Sequence, residues 1–308
     1  MAAILSADGV VKHFGSVTAL GGVTVDVTEG ITGLLGANGA GKTTLLGLSL
    51  GLTHPDGGRL EVLGLDPVAA GPDVRAIVGY SPEHQSLPPE VQAYDLVAHL
   101  AEIHGLPHRA ATTRASDALY QVGLGEERFR PVGTMSTGQK QRVKLASALV
   151  HDPTVLLLDE PFNGVDPRQR LHLMTLLRRM GAEGRTVLFS SHILEEVEQV
   201  ARQIEVMVSG RHAASGDFGQ IRRLMTDRPV QYVVVGDDDR ALAGALIAEP
   251  SVVAVSLRRA GGVDVSVSDF GAFTLRLPQV ARQHGIRILE LTPTDESLES
   301  VFAYLVGG

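Results

Sequence analysis

Gly36-Ala37-Asn38-Gly39-Ala40-Gly41-Lys42-Thr43 has the form GxxxxGK[ST], and it lies between the apolar run Ile31 to Leu35 and a helix-like stretch, Thr44 to Leu50. A strand, a glycine-rich turn and a helix in that order limit the fold more than any other feature of the chain. Glycines let successive backbone N–H groups turn inward around a polyphosphate, and the following helix offers the anion its positive end. The pattern predicts a nucleoside triphosphate site. Lys42 is expected to reach the terminal phosphates and Thr43 to coordinate Mg²⁺, with Gly36, Asn38, Gly39, Ala40, Gly41 and Thr44 completing the cradle.

A phosphate loop does not say which chemistry follows, so the downstream carboxylates matter. Thr154 to Leu158 reads as a short apolar strand ending in Asp159-Glu160-Pro161. A buried run of this kind delivers two adjacent carboxylates to the C-terminal edge of a sheet. Asp159 can hold Mg²⁺, often through water, and Glu160 can polarise an attacking water, the positioning task that phosphoryl transfer demands. Taken alone, the pair could equally be an acidic turn that ends a strand.

Met135-Ser136-Thr137-Gly138-Gln139-Lys140-Gln141-Arg142 precedes that strand and opens a helix through Leu145, Leu149 and Val150. This segment resembles the signature sequence of the ATP-binding cassette (ABC) ATPases, usually written LSGGQ, with Met135 and Thr137 as departures. A hydroxyl and an uncluttered backbone at a helix N-terminus make a second anion site, although Ser136-Thr137-Gly138 by itself also reads as a helix cap. The resemblance implies that Ser136, Gly138 and Gln139 engage the γ-phosphate held by a partner subunit. It also implies that Asn163-Gly164-Val165-Asp166 contacts that partner, that His192 is the switch histidine reporting the γ-phosphate, and that Phe14 stacks on adenine, with core packing as the alternative for Phe14. Gly79-Tyr80-Ser81-Pro82-Glu83 departs from the family at the loop that usually carries a glutamine beside Mg²⁺. Glu83 still offers an oxygen there, and Gln85 would substitute if the loop were shifted. Relatives that pair with a separate export permease often carry glutamate at this point.

The resemblance covers about residues 4 to 212. The fold it implies is α/β: a P-loop NTPase domain of the ABC ATPase type over residues 1–214, with a helical subdomain at about 88–150 in which Leu96, Leu100, Ile103 and Leu106 recur at helical spacing. Residues 215–308 read differently. Strands at 230–235, 252–257, 263–267 and 286–291 and helices at 240–248 and 273–284, the second interrupted near Pro278, give the order βαββαβ of a small α+β ferredoxin-like domain. Gly236 to Arg240, with three aspartates, reads as a solvated turn. A last amphipathic helix is expected with Asp295 and Glu296 in its first turn and Leu298, Val301, Phe302 and Leu305 on one face, similar to the terminal helix of exporter ATPases whose permease is a separate chain.

Composition narrows the partners. The 308 residues contain no cysteine, which excludes disulfides and thiolate metal sites, and a net charge of -8 gives nucleic acid no broad basic surface. No apolar run is long enough to cross a bilayer, and the N-terminal stretch lacks the basic flank of a secretory signal. The resemblance therefore implies a peripheral subunit at the cytoplasmic face of the cell membrane, using ATP and Mg²⁺. It would drive a separate integral-membrane permease by ATP-dependent pairing with a second ATPase subunit, as a homodimer, and the C-terminal domain could enlarge that interface, sense a ligand or bind an accessory protein. The competing reading is a soluble ABC-type mechanical ATPase of translation or DNA maintenance; the usual second cassette and the long heptad insertions of those proteins are missing.

Overall fold

The computed structural model describes residues 3–84, 87–221, 230–258 and 261–293. It forms two compact units, Met1–Phe218 and Gly219–Gly308. Gln85 and the expected helix beyond Pro293 lie outside the described residues.

The first unit contains two sheets. β1 (Leu5–Phe14), β2 (Val17–Val27) and β4 (Gly57–Val62) make an antiparallel sheet in the order β2-β1-β4. β2 alternates in the manner of a strand with one covered face, burying Leu20, Val23, Val25 and Val27. The larger sheet is built from β3 (Ile31–Leu35), β5 (Val78–Ser81), β6 (Val155–Leu158), β7 (Thr186–Ser191), β8 (Gln203–Val208) and β9 (Arg211–Gly216), in the order β5-β6-β7-β3-β8-β9. All pairings are parallel except β8 with β9. β3, β6 and β7 are buried along their whole length, as parallel strands with both faces covered must be. β9 continues to Gly216, paired with Ile204, so this sheet runs past the boundary expected at residue 214.

The helices of this unit are α1 (Lys42–Ser49), α2 (Gly71–Ile77), α3 (Ala93–Ile103), α4 (His108–Gln121), α5 (Thr137–Leu149), α6 (Pro167–Ala182) and α7 (Leu194–Val200); α2, α5, α6 and α7 pack on the larger sheet, α1 on β2 and β4, and α3 and α4 on each other and on α5. α1 begins at Lys42, two residues before the sequence suggested, because Gly41 at φ 99° turns the chain directly into it. The segment from α3 to α5 is helical, but the buried stripe of α3 is Ala93, Val97, Ala98 and Ala101, while Ile103 is exposed. Small side chains here face Ala111, Ala115 and Ala118 of α4, which lets helix backbones approach closely; the larger leucines flank that stripe instead of forming it.

The second unit consists of β10 (Val230–Gly236), α8 (Asp239–Leu246), β11 (Val252–Leu257), β12 (Val263–Val267), α9 (Phe270–Gln283) and β13 (Ile288–Pro293). Its sheet order β11-β12-β10-β13 is antiparallel throughout, the arrangement of a ferredoxin-like βαββαβ module. Tyr232, Val234, Leu242, Leu246, Val265, Phe273 and Leu277 form its core. Pro278 does not interrupt α9. It faces solvent, where the loss of one ladder donor is cheap, while Phe273, Leu277, Val280 and Ala281 hold the helix down. The aspartate turn is also more than solvated: Asp237 accepts from the N–H and Nε of Arg287, Asp238 caps α8, and Asp239 accepts from the N–H groups of Gly236 and Gly262.

Candidate functional site

The phosphate loop joins β3 to α1 and lines a cleft of about 490 Å³ together with Val17 to Ala19 of β2, Glu83, His84, Asp159 and Glu160. Asn38, Gly39, Ala40, Gly41, Lys42, Thr43 and Thr44 all face it. The loop is held from two sides. A Cβ at Gly41 would stand 2.7 Å from the carbonyl oxygen of Ala19, and Ala40 accepts from the N–H of Gly210, whose own carbonyl accepts from Gly21. Lys42 is buried, and its Nζ donates to the carbonyls of Gly36 (2.6 Å) and Ala37 (3.1 Å). The same ammonium lies 3.3 Å from Glu160 Oε1, a charge contact without hydrogen-bond geometry, so Lys42 and Glu160 face each other at the cleft wall.

Asp159 and Glu160 follow β6, and both are buried. Glu160 has φ 48°, a left-handed conformation that an L-residue with a side chain adopts only when its surroundings compel it. Its Oε2 lies 2.9 Å from Nδ1 of His192, and its carbonyl accepts from Nε2 of Gln141. Asp159 Oδ1 accepts from the hydroxyl of Ser190 at 2.6 Å, whereas Oδ2 is buried with no hydrogen-bond partner among the described residues. An uncompensated buried carboxylate oxygen beside a phosphate loop and the Thr43 hydroxyl is a donor set that suits a hard divalent cation. Behind His192, Ser191 donates to Glu196, which also pairs with Arg170; burial pushes the Glu196 carboxyl above its usual range.

A glycine-rich cradle, an opposed lysine and glutamate, and an aspartate with one unpartnered oxygen suit a polyphosphate and its cation, and comparison with known proteins gives the family. The family model described as "ABC transporter" matches residues 20–163. The chain is 30% identical to the linearmycin resistance ATP-binding protein LnrL of Bacillus subtilis, over 99% of this chain and 98% of that one. It is 31% identical to the daunorubicin resistance ATP-binding protein DrrA3 of Streptomyces coeruleorubidus, over 98% and 96%. The chain belongs to the ABC transporter ATP-binding proteins. A solved ATP-binding subunit of an ABC transporter superposes with a TM-score of 0.65 at 27% identity, covering 71% of this chain and 92% of that one. A dimeric ATP-binding cassette bound to ADP and Pi shares the fold, with a TM-score of 0.64 at 22% identity over 70% of this chain and 98% of its own. ABC ATPase domains bind ATP and ADP and hydrolyse ATP to drive transport.

Of the remaining landmarks of an ABC cassette, Glu83 lines the cleft, and Ser136 to Gln139, Asn163, His192 and Phe14 do not. Ser136, Gly138 and Gln139 build a capping box at the start of α5, in which Ser136 Oγ accepts from the Gln139 N–H and the Gln139 side chain accepts from the Ser136 N–H. The cap reading holds, and it leaves the Ser136 hydroxyl proton available to donate. Thr137, the departure from LSGGQ, packs its methyl group over Gly164, and a Cβ on Gly164 would stand 2.8 Å from it. Glu83 accepts from Nδ2 of Asn163 at 3.2 Å, and Lys144 donates to the Glu83 and Pro82 carbonyls. Burial lowers the Lys144 ammonium below its usual range, and Glu83 and Asp159 oppose that shift. Phe14 is exposed at the end of the β1–β2 hairpin, with Lys12 Nζ 5.5 Å from its ring centroid, so core packing does not explain it.

The β2 residues Val17 to Ala19 carry no motif, Gln141 lay unassigned in the segment after the signature, and Ser190 was one hydroxyl among those of Thr186 and Ser191 in its strand, so the sequence did not single it out.

Proposed function

We propose that this chain is the ATP-hydrolysing subunit of an export system, acting on a separate integral-membrane permease from the cytoplasmic face of the membrane. The resistance names of its relatives support export, as does Glu83 at the position where the family usually has glutamine, and they disfavour a soluble mechanical ATPase. The reading rests above all on Glu160, whose carboxylate is held between Lys42 and His192 at the cleft wall.

Phe14 stacks on adenine beyond the cleft edge formed by Val17 to Ala19. The loop N–H groups and Lys42 bind the β- and γ-phosphates. Thr43, Asp159 and Glu83 are the residues that would hold Mg²⁺, which when bound neutralises phosphate charge. Glu160 orients a water for in-line attack on the γ-phosphorus and accepts its proton as the bond to the β-phosphate oxygen breaks and ADP leaves. His192 hydrogen-bonds the γ-phosphate and loses that contact when phosphate departs. Ser136, Gly138 and Gln139 face the ATP of a second copy, so each site closes only in the dimer and hydrolysis loosens it. The second unit adds to that dimer contact or receives an accessory protein.

Glu160→Gln tests this directly. ATP binding should persist, turnover should fall at least about 100-fold, and a dimer should accumulate with ATP on size exclusion. A monomeric variant that hydrolyses ATP at the parent rate would overturn the assignment.

A further inference from the structure

Ser190 is fully buried on β7, and its hydroxyl makes two contacts, one to each residue of the carboxylate pair. It donates to Asp159 Oδ1 at 2.6 Å and accepts from the Glu160 N–H at 2.9 Å. β7 lies between β6 and β3, and its Phe189 pairs with Leu158, the last residue of β6, so Ser190 stands beside the point where β6 ends and the two carboxylates begin.

We propose that Ser190 is a positioning residue for the hydrolytic site, one hydroxyl that sets the orientation of both Asp159 and Glu160. A serine hydroxyl has one proton and can accept in return. Here the proton fixes which oxygen of Asp159 is engaged, and Oδ2 remains buried without a partner to serve as the metal-facing oxygen. The accepting side fixes the Glu160 N–H, which helps keep that residue at φ 48°, the turn that carries its carboxylate to Lys42 and His192. Without the hydroxyl, the Glu160 N–H is buried and unsatisfied, and the Asp159 carboxylate is free to rotate. Partners behind a metal ligand characteristically change metal affinity or activity about 10–100-fold when removed.

The inference rests on the roles given to Asp159 and Glu160 above, and the experiment separates the two. Mn²⁺ is titrated by electron paramagnetic resonance into the full chain with a non-hydrolysable ATP analogue, for the parent, Ser190→Ala, Ser190→Thr and Asp159→Asn, and thermal unfolding is recorded for each. Ser190→Ala should weaken Mn²⁺ binding by about 10-fold and lower kcat by a similar factor, with the KM for ATP within about twofold. Ser190→Thr, which keeps the hydroxyl, should restore both. Ser190→Ala with Mn²⁺ affinity and kcat at the parent level would overturn the proposal. So would losses that follow a collapse of thermal stability and are not relieved by threonine. If Asp159→Asn leaves Mn²⁺ binding unchanged, the assignment of the metal-side carboxylate fails, and the role of Ser190 falls with it.

Discussion

At the scale of single residues, this chain departs from its family at positions whose neighbours accommodate the change. Thr137 places a methyl group where the signature usually has glycine, and the facing residue, Gly164, has no side chain to meet it. Gly164 also has φ 70°, so any side chain there is strained irrespective of space. Gly164→Ala should destabilise the fold by about 1 kcal/mol or more, read as a drop of about 2–4 °C in the unfolding midpoint. Adding Thr137→Gly should recover the steric part only, and full recovery would show that the backbone strain is negligible. Glu83 is likewise embedded, its carboxylate accepting from Asn163 and its carbonyl from Lys144. The motif positions were legible because short-range chemistry dictates them: a phosphate loop, a strand ending in two carboxylates and a histidine after a strand are local patterns. Ser190 was not, since its partners stand about thirty residues away in the chain and only the parallel pairing of β6 and β7 brings them together.

At the scale of elements, the end of α3 meets the end of α5 through two imidazoles. His104 and His151 stack with ring centroids 3.8 Å apart and planes within 1° of parallel. Burial, reinforced by the His104 ring, pushes His151 down from 6.5 to about 4, and burial lowers His104 as well. Beside them Asp152 is tied to Arg114 of α4 and to Arg185. At neutral pH the His151 ring is uncharged in the fold, and its lowered value means that it takes up a proton more readily in the unfolded chain. Its contribution is therefore complete above about pH 6.5 and is lost as the pH falls towards about 4. Urea unfolding at pH 7.5 and pH 5 should show a loss of stability on acidification that is smaller in His151→Asn; an equal loss in both proteins would show that the pair does not contribute. No periodicity announced this contact. The same holds for the alanine stripe of α3, because hydrophobic spacing identifies a helix more securely than it identifies which face a neighbouring helix covers.

At the scale of the whole molecule, no helix among the described residues is long and apolar enough to cross a membrane, and the proposed permease is testable as a co-purifying protein. Affinity purification of the tagged chain from membranes should recover an integral protein in stoichiometric amount, and recovery with ribosomes or DNA alone would instead support a soluble mechanical ATPase. In the first unit β3, β6 and β7 were readable because buried parallel strands are continuous apolar runs, and in the second the βαββαβ order was readable from its short alternating apolar segments. The three-stranded antiparallel sheet and the extension of β9 were less so, since their pairings depend on turns and on distant edges. That small sheet reaches the phosphate loop through Ala19 of β2, which stands against Gly41, while Gly210, in the turn between β8 and β9, holds the loop through Ala40. Because Val17 to Ala19 line the same cleft, the rim and the phosphate cradle share one mount, and the separation between them is preset. The cleft thus has one wall on β2 and the other on the phosphate loop, and the two meet where Ala19 stands against Gly41, so neither wall can shift without moving the other.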